Sequence, residues 1–149
     1  MNARLRTVLL SALLLSACDP NTEPADAAAK RQIEAGMNAI WDKPDAPLQV
    51  GPTVIAQDYA LADWTQGGMG GRALLQRRGQ RWETILCAGD GIRDATGLTA
   101  VGVPDATARL LAEQLAAAEK HVSAERLRLM ASFHGVVRMP ATGGAPHER

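Results

Sequence analysis

The first hydrophobic feature of the chain is a nearly continuous apolar run, Val8-Leu9-Leu10-Ser11-Ala12-Leu13-Leu14-Leu15, behind Arg4 and Arg6. It is too short to span a bilayer as a helix and has the charged and apolar regions of a secretion signal. The run closes on Leu15-Ser16-Ala17-Cys18, which resembles a lipobox, where small residues fit the peptidase and the Cys thiol takes the lipid. Residues 1–17 are therefore expected to be a lipoprotein signal peptide. Residues 18–24 are expected to be the lipidated Cys18 and a tether, since Asp-Pro-Asn-Thr-Glu-Pro holds two prolines and no large apolar group.

Beyond the tether the patterning predicts one domain over residues 25–139. Ile33, Met37, Ile40 and Trp41 recur at helical spacing and predict a helix over 25–41, opened by Pro24 and ended before Pro44. From Leu48 the pattern shortens to β-type runs over 48–57, 59–66, 72–78 and 81–88, an antiparallel meander. Gln57-Asp58 and Arg78-Gly79-Gln80 supply tight turns, and Gly67-Gly68-Met69-Gly70-Gly71 reads as a longer flexible connection. Pro52 puts the first strand at an edge. Asp90 then caps a short helix ending at Gly102. Pro104 and Asp105 open a longer one to about His121, and Ser123 caps a third through Leu127 and Met130. Gly135 to Met139 suits a short returning strand, and residues 140–149 a flexible tail. The fold class expected is α+β: an N-terminal helix, a four-stranded antiparallel meander and three C-terminal helices, all helices on one side of the sheet with the other side solvated.

Charge narrows the functional classes. Lys+Arg and Asp+Glu number 16 each, which excludes the basic excess that nucleic acid demands. Loss of residues 1–17 removes Arg4, Arg6 and no acid, leaving a mature net charge of about −2. Acyl chains such as palmitate on Cys18 hold the domain to a membrane at roughly 0.8 kcal/mol per buried methylene. Asp19, directly after Cys18, resembles the signal that retains lipoproteins at the inner membrane, so the expected location is its periplasmic side.

With Cys18 spent on lipid, Cys87 is left as a lone thiol. Cys87, Asp90 and His134 are the residue types of a thiol nucleophile, an orienting acid and a base, but their spacing matches no such arrangement, and Thr84-Ile85-Leu86-Cys87 looks like a core strand. The glycines at 67–71 lead into a strand, which argues against a phosphate cradle. For metal, the soft donors are Cys87, Met37, Met69, Met130 and Met139, with imidazoles at His121, His134 and His147. No pair of them shows ligand spacing; Cys87, His134 and Met139 form the candidate set, for copper. Trp64 and Trp82 sit on predicted strands and Trp41 covers them. Arg77, Arg78 and Arg81 flank a turn, where they suit a solvated hairpin tip or contact with anionic head groups.

Three segments together suggest a family: Ala62-Asp63-Trp64-Thr65-Gln66-Gly67, Gly70-Gly71-Arg72-Ala73-Leu74-Leu75, and Trp82-Glu83-Thr84-Ile85-Leu86-Cys87-Ala88-Gly89-Asp90. With Gly102-Val103-Pro104 and Phe133-His134-Gly135-Val136-Val137-Arg138-Met139, they resemble the bacterial copper uptake system-associated proteins over most of the chain from Trp41 to Met139. The resemblance implies a small exported, non-enzymatic accessory factor of copper uptake or handling, meeting a periplasmic copper chaperone or transporter. It assigns no metal residue, and the lipobox departs from the soluble signals common in that family. The alternative is a metal-independent protein-interaction or inhibitor-type lipoprotein.

Overall fold

The computed structural model describes residues 25–140. The expected signal peptide, the expected lipidation site Cys18, Asp19, the expected tether and the expected tail apart from Pro140, with His147, lie outside the described residues. Helix α1 (Ala25–Trp41) buries Ile33 and Met37, whereas Ile40, the third member of the expected stripe, is 47% exposed. The strands β1 (Leu48–Ala56), β2 (Tyr59–Gln66), β3 (Met69–Arg78) and β4 (Arg81–Ala88) follow as a meander. A single 3-10 turn at Asp90–Ile92 leads to α2 (Ala95–Ala100), α3 (Asp105–Glu119), α4 (Ala124–Ala131) and β5 (Val136–Arg138).

The sheet order is β1-β2-β3-β4-β5, with every neighbouring pair antiparallel. It therefore has five strands rather than the four of the meander alone, because the segment after α4 returns to pair Val137 with Cys87. β1 is an edge strand, and its register slips between Val50 and Thr53, around Pro52. An edge position spares the sheet the donor that proline lacks. Asp94, not Asp90, caps α2, its Oδ1 accepting from the Gly97 N–H at 2.8 Å. Ser123 Oγ accepts from the Arg126 N–H at 3.3 Å and caps α4.

The expected one-sided arrangement is corrected by the sheet itself. β2 and β3 are buried on consecutive residues, so both of their faces are covered. Ala60, Ala62, Ala73 and Leu75 face α1 with Ile33 and Met37. Leu61, Leu74 and Leu86 face α2 and α3 with Leu98, Ala108, Leu111 and Leu115. The three C-terminal helices thus lie on the opposite side from α1, and solvation of one face, common in antiparallel sheets, does not occur here.

The glycine run is corrected in the same way. Only Gly67-Gly68 forms the turn, and Met69, Gly70 and Gly71 begin β3. A Cβ on Gly70 would meet the α4 backbone at 3.0 Å, and one on Gly71 would meet Trp64 Cζ2 at 2.9 Å. These glycines let a helix and an indole lie directly on the strand. No helix among the described residues is long and apolar enough to cross a membrane.

Candidate functional site

The strand period places Cys87 on the α1 face of β4, between Leu86 and Ala88 on the other face. Opposite Cys87 stands Val137 of β5, and just past β5 the Met139 N–H donates to the Ile85 carbonyl at 2.9 Å, which fixes Met139 beside β4. Met37 arrives from α1. Together these side chains, with Trp41, Trp64 and Phe133, line a cavity of about 200 Å³. Trp64 and Phe133 meet edge-to-face, with centroids 5.8 Å apart and planes at 81°.

The cavity is apolar, with a thiol in its wall. Burial pushes the Cys87 thiol up to about 11, since a thiolate there would lose hydration; the Trp64 indole N–H opposes the shift in part. That approach falls short of hydrogen-bond geometry, and Trp64 Nε1 has no partner among the described residues. Cys87 is 8% exposed and forms no disulfide among the described residues.

Of the sequence-derived metal set, Cys87 and Met139 share the cavity and His134 does not: it is exposed and outside the lining. Met37 takes the third place, a residue whose position on an apolar stripe made it look like plain core. Met69 is 59% exposed at the start of β3, and Met130 is fully buried on the other side of the sheet. Asp90 also lies apart from Cys87, held by Arg72 on the α3 side. Among the described residues no group of three or more His, Cys, Asp or Glu side chains is placed to hold a metal ion.

A second polar feature occupies the opposite face. Asp63 of β2 and Arg72 of β3 are direct cross-strand partners, each 1% exposed or less. Arg72 donates from Nε and Nη2 to Glu119 Oε1 of α3 at 3.0 and 2.5 Å, and from Nη1 to Asp90 Oδ1 at 2.8 Å. Arg93 Nε donates to the other Glu119 oxygen at 2.7 Å, which raises the Arg93 pKa. Asp63 Oδ1 stands 3.4 Å from Arg72 Nε, yet neither Asp63 oxygen accepts a hydrogen bond among the described residues. Burial raises the Asp63 carboxyl to about 7; the Arg72 charge opposes this and the Glu119 charge adds to it. The cluster ties β2 and β3 to α3. An Asp amid Ala60-Leu61-Ala62 and Trp64, in a strand where Asp is disfavoured, was its trace in the sequence.

Compared with protein-family models, with curated proteins and with solved structures, the chain matches none.

Proposed function

We propose that this chain is an envelope lipoprotein, anchored through Cys18 on the periplasmic side of a membrane, the inner one favoured by Asp19. Its domain is a non-enzymatic accessory factor of copper uptake or handling. In this reading Cys87, Met37 and Met139 hold Cu(I), and a periplasmic copper chaperone or transporter exchanges it. The observation that carries the reading is the convergence of three sulfur side chains, from α1, from β4 and from beyond β5, on one apolar cavity. Thiolate and thioether sulfur are the soft donors Cu(I) prefers.

Two features of the cavity fit such an ion. The metal-bound sulfur of Cys87 would be a better acceptor than the thiol, so the buried Trp64 N–H would gain the partner it lacks. The thiol, held near 11, must also release its proton on binding, which makes affinity strongly pH-dependent. The test is competition for Cu(I) against a chromophoric chelator under reducing conditions. The protein is the chain from residue 18 with Cys18→Ser, so that only Cys87 supplies thiol. One equivalent should bind, binding should be lost in Cys87→Ser and weakened in Met37→Leu and Met139→Leu, and His134→Ala should be neutral. Absence of binding beyond that of an unrelated protein would discard the copper reading.

The metal-independent interaction lipoprotein is the second reading. It is favoured by the edge strand β5, whose Val136 and Val137 are 48% and 47% exposed, a surface suited to strand addition. Copper-independent crosslinking of a periplasmic protein to β5 would support it.

A further inference from the structure

Between α1 and the strands β3 and β4 runs a second, wider depression of about 880 Å³, which shares Met37, Trp41 and Met139 with the sulfur cavity. Its apolar lining includes Ile40, Trp41, Leu75 and Trp82. Ile40 is nearly half exposed there, the unburied member of the α1 stripe. Three cations, Arg78, Arg81 and Arg138, line the same depression, with Glu83 as the acid among them. All three arginines are exposed. None of them makes an ion pair among the described residues, whereas the neighbouring Arg77 is bound to Asp58 at 2.6 Å. Arg78 and Arg81 are also direct cross-strand partners, an arrangement of like charges that costs stability.

We infer that this groove seats an acyl chain of an anionic phospholipid from the bilayer that holds the anchor, with the three arginines on the head-group phosphates. The inference rests on the proposed lipidation of Cys18 for its geometry. Cys18 is seven residues from Ala25, where α1 begins, so the start of the helix lies within about 25 Å of the anchored residue, and its groove-lining turns from Ile33 to Trp41 follow about 12 to 24 Å further along the axis. That distance keeps the groove in continual reach of the membrane, at high effective concentration. The segments directly flanking the described residues carry no side chain suited to fill it. Residues 19–24 and 141–149, Ala-Thr-Gly-Gly-Ala-Pro-His-Glu-Arg at the C-terminal end, carry no large apolar side chain. The groove volume lies in the range of sites for small apolar ligands.

The test uses the chain from residue 18 with Cys18→Ser, which has neither leader nor acyl group; both core clusters lie within residues 25–140. It is mixed with vesicles of phosphatidylcholine alone or with phosphatidylglycerol. Phosphatidylglycerol vesicles should bind it, and acyl chains brominated near the head group should quench its tryptophan emission, from Trp41 and Trp82. Each basic side chain near an anionic surface is worth about fivefold in affinity, so Arg78→Gln/Arg81→Gln/Arg138→Gln should lose on the order of a hundredfold. Ile40→Glu, at an exposed position, should abolish the quenching.

Equal binding to neutral vesicles, or no binding to either, overturns the inference. So does salt-sensitive binding without quenching, which would make the arginines a surface contact only. A stable dimer that the Ile40→Glu variant dissociates overturns it too, giving the groove to a second copy. The copper reading is read out separately, because the arginine variants should keep Cu(I) affinity unchanged. Mass spectrometry of the cell-made protein for an acylated Cys18 separates failure of the groove from failure of the anchor.

Discussion

Replacing Asp63 by Asn should stabilise the protein at alkaline pH and do progressively less as the pH falls. The carboxyl is fully buried, neither oxygen accepts a hydrogen bond among the described residues, and burial raises it from 3.8 to about 7. Around it stand Arg72, Arg93 and Arg126 as cations and Glu119 as an acid, with Asp90 on the far side of Arg72. Arg72 and Arg93 are already engaged by Glu119 and Asp90, and Arg126 donates to the Gln49 carbonyl rather than to Asp63, so for an ionised Asp63 the loss of hydration outweighs the cations around it. Because the folded pKa lies above the unfolded one, the favourable contribution is complete below about 4. It is lost as the pH rises towards 7 and beyond.

At about 1.4 kcal/mol per pKa unit, the shift from 3.8 to about 7 corresponds to about 4 kcal/mol in all, of which about 3 kcal/mol falls between pH 5 and pH 8. A domain of this length moves by about 4 °C in Tm per kcal/mol. The Asn variant should therefore gain on the order of 10 °C over the parent between those two pH values, read by circular dichroism melts of both proteins. The difference between the proteins isolates Asp63 from every other titrating group. A variant destabilised equally at both pH values would refute the reasoning, since it would mean that the carboxylate itself holds the cluster together.

Other consequences follow from the same geometry. Glu119→Gln should cost about 3–5 kcal/mol by denaturant titration, because it takes the charge that both Arg72 and Arg93 meet. Gly71→Ala should cost about 1–3 kcal/mol and shift tryptophan emission, since its Cβ would press on the Trp64 ring; an unchanged emission spectrum would mean that the ring does not lie there. Cys87 should resist a thiol reagent at pH 7 until the protein is unfolded, as a thiol held near 11 is protonated and covered. Cu(I) affinity should rise about tenfold per pH unit between 6 and 8 as the Cys87 proton becomes easier to displace.

Local elements were legible from the sequence because each rests on local chemistry. α1, β2 and β4 follow from the apolar period and their turns, and the Ser123 cap from a hydroxyl ahead of a helical run. What was not legible depends on partners distant in the chain. Gly70 and Gly71 read as a loop because nothing nearby reveals that α4 and Trp64 occupy the space of their missing side chains. The second covered face was hidden because Ala60, Ala62 and Ala73 are too small to announce a core, although they are buried against α1. Met37 was hidden for the opposite reason: a helical stripe explains it fully until β4 and Met139 are seen beside it. His134 entered the candidate set as an imidazole, with no ligand spacing behind it, and the turn into β5 leaves it in solvent.

X-ray absorption at the copper edge of the Cu(I)-loaded protein, in the parent and in Met37→Leu, tests the proposed copper site most directly. A shell of sulfur scatterers alone is expected in the parent, with one fewer sulfur in the variant. Imidazole nitrogen in the shell, or a spectrum that Met37→Leu leaves unchanged, would contradict it.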